Sequence, residues 1–205
     1  MTERRRNVRH ATVFQVAKMT TDTSEELCIL RDVSSEGLKA EVYCELAVGD
    51  RIAIDLKTGH RVQGQVAWTR EQIIGMAFDA AVPMLDMLAH CSFDDRVMKI
   101  RPPRLTMNMP GILRIDDDYD EIDFQLCDIS QAGMKVLLSR AVRPGTTCLV
   151  KLDALEPRKA VVRWQRQGEA GILLLLPLSY GEFAAWRRAL MRLHRADAEH
   201  ALAIH

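Results

Sequence analysis

Residues 32–37 read Asp-Val-Ser-Ser-Glu-Gly, and residues 128–133 read Asp-Ile-Ser-Gln-Ala-Gly. The offset of 96 between them holds over most of the chain. It pairs Lys39 with Lys135, Gly49 with Gly145, Leu56 with Leu152 and Val66 with Val162, all identical and with no insertion. Trp68 with Trp164, Arg70 with Arg166 and Gly75 with Gly171 continue the match. Chance identities would not gather on Asp, Gly and Trp, the residues with the narrowest structural uses. A period of this size exceeds the ~20–45 residues of a solenoid unit and suits a small domain. The 205 residues are therefore expected to be two copies of one domain. The expected boundaries are 1–91 for the first copy, 92–98 for a linker around Ser92, Asp94, Asp95 and Arg96, 99–195 for the second copy and 196–205 for a tail.

Within each copy the apolar residues alternate. Ile52, Ile54 and Leu56 interleave with Ala53, Asp55 and Lys57, and Val62, Val66 and Trp68 interleave with Arg61, Gln65 and Ala67. A period of two predicts half-buried antiparallel strands. Turn residues at Ser34 to Gly37, Val48-Gly49-Asp50 and Lys57-Thr58-Gly59 separate five or six short strands, enough for a small barrel. In the DxSxxG turn, Asp and Ser are expected to satisfy backbone donors and Gly to supply a positive φ. Trp68 and Trp164 are predicted to pack in the core or at the barrel end. Each copy then closes with a predicted helix, Pro83 to His90 in the first and Gly181 to about Arg195 in the second. In the latter, Phe183, Trp186, Leu190 and Leu193 share one face. The fold class is all-β with terminal helices.

Composition narrows the function. Lys plus Arg and Asp plus Glu both number 28, so no whole-chain field attracts nucleic acid or an anionic membrane. Five cysteines at 28, 44, 91, 127 and 148 form no Cys-x-x-Cys pair, which argues against a disulfide framework or a zinc site and for buried small hydrophobes. No apolar run reaches the ~18 residues of a membrane helix, and the Arg-rich start passes into Val8, Arg9 and His10 rather than a hydrophobic leader. A reducing cytoplasm is the expected compartment. There is no nucleophile elbow, phosphate loop or His-Glu-x-x-His, and the six His lack ligand spacing, so no enzyme and no metal or cofactor is expected. The acidic run Asp116 to Glu121 lacks the Gly and terminal Glu of a calcium loop and reads as a hairpin tip.

Two features of the first copy belong together. Arg4-Arg5-Arg6-Asn7-Val8-Arg9 contains RxxxR from Arg5 to Arg9, and the DxSxxG of Asp32, Ser34 and Gly37 follows. With Val66-Ala67-Trp68 and Gly75-Met76-Ala77-Phe78 downstream, this pair resembles the PilZ domain family, bacterial receptors for the second messenger cyclic di-GMP. The resemblance covers both copies. It implies a six-stranded antiparallel barrel in each, with the RxxxR segment lying as an arm over the surface that presents the DxSxxG turn and the nucleotide held between them. By that resemblance Arg5, Arg9, Asp32 and Ser34 contact ligand, Gly37 lets the backbone pass closely, and Arg4 marks a stacked dimer of cyclic di-GMP. Side-chain chemistry agrees, because Arg forks to guanine O6/N7, stacks on purines or grips phosphate. A carboxylate accepts from guanine N–H groups, and Ser bonds either ligand or turn.

The second copy departs from the motif. The offset takes Arg5 to Arg101 but Arg9 to Leu105, with Arg104 one place early behind Pro102-Pro103. Arg101, Arg104, Asp128, Ser130 and Gly133 therefore form a reduced candidate site. The two copies fill the sequence, so the expected function is a receptor whose ligand-induced change passes to a separate protein effector. Two rivals are a ligand-independent adaptor, which the second copy already resembles, and a weak nucleic-acid binder, which the balanced charge disfavours.

Overall fold

A computed structural model of the chain describes residues 10–56, 59–83, 102–115 and 121–203. The predicted helix after Pro83, the 92–98 linker and the acidic run 116–120 lie outside the described residues. Two compact units part between Pro103 and Arg104.

The first unit holds β1 (His10–Thr20), β2 (Glu25–Val33), β3 (Gly37–Glu41), β4 (Arg51–Asp55), β5 (Arg61–Arg70) and β6 (Ile73–Phe78). They form a closed barrel in the order β1-β2-β3-β6-β5-β4, antiparallel throughout. The second unit repeats it with β7 (Leu105–Ile115), β8 (Glu121–Ser130), β9 (Gly133–Leu138), β10 (Thr147–Leu152), β11 (Leu155–Arg166) and β12 (Glu169–Leu174). One helix, α1 (Tyr180–Ala203), follows. The alternation and turns led to five or six strands per copy, and the two six-stranded barrels are those the resemblance implies.

Alternation is what closes each barrel. Along β5, Val62, Gly64 and Val66 are buried while Arg61, Gln63 and Gln65 face water. The inward set, with Met19, Cys28, Leu30, Ile54, Ile74 and Met76, makes the first core. Leu105, Leu113, Leu126, Ile129, Met134 and Val162 are among the buried residues of the second. Each large side chain taken from water stabilises its barrel by about 1.5–3 kcal/mol. Burial pushes the Cys28 thiol up to about 12, and the neighbouring Cys44 adds to it, so Cys28 is a protonated core residue.

Helix α1 begins with a reciprocal cap. Glu182 N–H donates to Ser179 Oγ at 3.2 Å, and Glu182 Oε2 accepts from Ser179 N–H at 2.8 Å. Phe183 and Trp186 meet edge to face at 5.6 Å, and Trp186 Nε1 donates to the Asp153 carbonyl in the β10–β11 hairpin at 2.9 Å. The helix, expected to about Arg195 with the tail as its extension or fraying, runs to Ala203, where the Ala-rich sequence favours it. Leu193, expected on the buried face, is exposed: it lies nearly one turn beyond Leu190, the last buried residue of that face among the described side chains.

Candidate functional site

The DxSxxG turn joins β2 to β3. Ser34 N–H donates to the Gly37 carbonyl at 2.8 Å, Ser34 Oγ donates to the same oxygen at 2.9 Å, and Gly37 N–H donates to Ser34 Oγ at 3.2 Å. Of the two roles open to Ser34, the structure shows the turn. Two further bonds tie it to the chain leaving β6: Phe78 N–H donates to the Glu36 carbonyl and Val82 N–H to that of Ser35, both at 2.8 Å. Gly37 is required for a reason other than the expected positive φ, which it does not adopt. A Cβ there would stand 2.3 Å from the Met76 carbonyl oxygen, so glycine lets β3 lie against β6. Gly133 meets the Ile172 carbonyl in the same way in the second barrel.

Two bulges decide which side chains face outward here. Between β2 and β3 the register jumps from Leu30↔Ala40 to Asp32↔Lys39, leaving Arg31 extra. Between β5 and β6 it jumps from Val66↔Met76 to Trp68↔Gly75, leaving Ala67 extra. One extra residue turns the following side chains to the opposite face. With Lys39↔Gly75 between them, Asp32, Lys39, Gly75 and Trp68 form one row across four neighbouring strands. The bulge is held at Arg31, whose Nε and Nη2 donate to Glu41 Oε2, while the Tyr43 hydroxyl donates to Glu41 Oε1 at 2.7 Å. The Arg31 hydrogen bond holds the Glu41 carboxyl below the usual range against the opposing effect of burial.

Trp68 is therefore not a core residue, as its alternation suggested. Its indole lies across Gly75, where a Cβ would come within 2.1 Å of Nε1, and it remains 40% exposed. The row borders an open cleft of about 720 Å³ whose lining includes Asp32, Ser34, Gly37, Lys39, Trp68 and Arg70. The structure thus brings together the predicted Asp32, Ser34 and Gly37. Sequence reasoning gave Lys39 and Arg70 no role and put Trp68 in the core or at the barrel end; the offset that preserves all three in Lys135, Trp164 and Arg166 was the available signal. Arg4, Arg5 and Arg9 lie outside the described residues.

The second barrel repeats the row as Asp128, Lys135, Gly171 and Trp164, with matching bulges at Cys127 and Arg163. Ser130 Oγ donates to the Gly133 carbonyl at 3.1 Å. Here, however, Arg104 Nη1 stands 2.5 Å from Asp128 Oδ1. Lys135 Nζ lies 3.0 Å from Glu169 Oε1, and this hydrogen bond raises its pKa. Leu105, which takes the place of Arg9, is fully buried. Arg101 lies outside the described residues.

Among the described residues there is no group of three or more His, Cys, Asp or Glu able to hold a metal, and no helix long and apolar enough to cross a membrane.

Comparison with known proteins places this arrangement. No curated protein matches the sequence. Among solved structures, Borreliella burgdorferi PlzA in complex with c-di-GMP aligns at 8% identity and a TM-score of 0.37, over 85% of this chain and 88% of that one. Escherichia coli YcgR in complex with c-di-GMP aligns at 15% identity and 0.34, over 93% and 88%. Bacillus subtilis MotI/DgrA, an inhibitor of motility, aligns at 12% and 0.32, over 90% and 99%. The assignment rests instead on the family model for the PilZ domain, which matches residues 3–93 and again 99–183. The chain belongs to the PilZ domain family, with one domain in each half.

Proposed function

We propose that the chain is a cyclic di-GMP receptor whose first barrel captures the nucleotide and passes the change to a protein effector. The observation that carries this reading is the outward row of Asp32, Lys39, Gly75 and Trp68 beside one cleft. Three strand spacings of ~4.8 Å set Asp32 and Trp68 roughly 14 Å apart along the sheet, a span with room for more than one base. The Asp32 carboxylate accepts from guanine N1–H and N2–H, Lys39 and Arg70 supply positive charge for phosphate, and the Trp68 indole offers a stacking face.

Arg5 and Arg9 complete the site from the amino-terminal side as the family motif implies, and Arg4 sets the ligand as a stacked dimer. Binding then shifts the population of states that an effector reads, by as much as the ligand prefers one state over the other. The second domain is the part that reads out rather than binds. Leu105 in the core leaves it without a counterpart of Arg9, and Arg104 covers the carboxylate.

The test is equilibrium dialysis of labelled cyclic di-GMP against unlabelled competitors. The nucleotide itself should displace the label, whereas GMP and single-stranded RNA at the same phosphate concentration should not. Retention that RNA abolishes equally well would replace this reading with charge-driven nucleic-acid binding, recognisable by its steep salt dependence.

A further inference from the structure

The second barrel carries on its outer face leucines that the first lacks. Leu137 on β9, Trp164 on β11, Leu173 on β12, and Leu175 and Leu176 just after it are all exposed. Leu137, Trp164, Leu173 and Leu175 share one face. Leu173 and Leu175 alternate outward on one extended run, which continues past β12 because Leu175 N–H donates to the Lys159 carbonyl at 2.9 Å. Trp164 covers Gly171, the outward neighbour of Leu173, and Leu137 and Trp164 line one depression with Arg166. At the positions 96 residues earlier the first barrel has Glu41 for Leu137, Ala77 for Leu173, Asp79 for Leu175 and Ala80 for Leu176. On the face shared by Leu137, Leu173 and Leu175, leucines stand where the first barrel has acidic or small residues. Such a grouping is the kind that marks an interaction site rather than the scattered apolar exposure of any surface.

Charge around the patch says what covers it. Lys159, Arg163 and Arg166 are exposed on β11, where the first barrel has Gln63 and Ala67 for the first two. Glu169 on the same face is already matched by Lys135 at 3.0 Å. A second copy docked through this patch would set these cations against their own kind, so the surface is built for an acidic complement. At the patch β9 is hydrogen-bonded to β8 and β12, and β12 to β9 and β11, so what these two strands offer a partner is side-chain contact. We propose that this face docks a protein segment in the form of an amphipathic helix, with leucine-like side chains on one side and Asp or Glu flanking them. The proposal needs no nucleotide and stands apart from the receptor reading.

Two synthetic 18-residue helical peptides test it against the full chain by fluorescence anisotropy. They share one leucine face, and one carries Glu and the other Lys on the polar side. The acidic peptide should bind at least tenfold more tightly than the basic one. The exposed pair Leu173→Ser and Leu175→Ser should weaken it at least fivefold, and Arg163→Glu should reduce the preference for the acidic peptide, with the melting temperature unchanged in both. Equal binding of the two peptides, or binding indifferent to the leucine substitutions, would overturn the proposal. So would a dimer in sedimentation that the same substitutions dissolve, because that would make the occupant a second copy.

Discussion

Arg104 reaches Asp128 at 2.5 Å in the second barrel, while among the described residues Asp32, its counterpart in the first, has no such ion pair. The pair is exposed and worth no more than about 1 kcal/mol, so by itself it does not lock the second site. The deeper difference is Leu105, which fills the second core where the offset would put an arginine.

Asp32→Ala should therefore remove charge-assisted hydrogen bonds to the nucleotide worth about 1.5–3 kcal/mol, a tenfold or greater loss of affinity. Asp128→Ala should leave affinity within about twofold. Nucleotide titrations of the two variants decide this, and equal losses would put ligand on both barrels.

Trp68→Ala should weaken nucleotide binding at least about fivefold, since stacking of a base on an aromatic ring contributes about 1–3 kcal/mol. The indole covers Gly75 from outside the core, so the barrel should survive its loss with a modest fall in stability. Trp164→Ala should not change the affinity. Fluorescence is an independent check, because ligand should quench the wild-type protein and not the Trp68 variant.

Gly37→Ala should destabilise the first barrel by about 1–3 kcal/mol, because the new methyl meets the Met76 carbonyl and β3 must move off β6. Urea unfolding measures it, and Gly133→Ala should do the same to the second barrel. An unchanged midpoint would show that the backbone there yields more easily than the contact implies.

Glu182 gives the cap of α1 a pH dependence. Its hydrogen bonds with Ser179, and then that with Arg158, bring its carboxyl down to about 2 from an ordinary 4.5. A carboxylate with a depressed folded pKa contributes stability that is full above its unfolded pKa and lost as the pH falls through the folded value. The cap should therefore weaken between about pH 4.5 and 2, and Glu182→Gln should flatten that part of the profile. A side-chain NMR titration of Glu182 with a midpoint near 4.5 would contradict the capping geometry.

The repeat was legible because Asp, Gly and Trp hold positions that few other residues can fill, and the barrels were legible because β5 alternates from Arg61 to Val66 between turn residues. Trp68 was misread for a physical reason. A bulge adds one residue, Ala67, and turns the following side chain outward, yet the local sequence still reads as apolar alternation. Gly37 was assigned to its turn correctly and for the wrong cause, since close approach of a strand 39 residues away leaves no local mark. Lys39 could be placed at the site only once the register across β2, β3 and β6 was known.

Calorimetric titration of cyclic di-GMP into the full chain, with Arg5→Ala and Arg9→Ala alongside, tests the receptor reading most directly. The account predicts about two nucleotides per chain in the wild type and loss of the heat in either variant. Absence of heat in the wild type, or equal heat in all three proteins, would contradict it and leave the chain as an adaptor that needs no nucleotide.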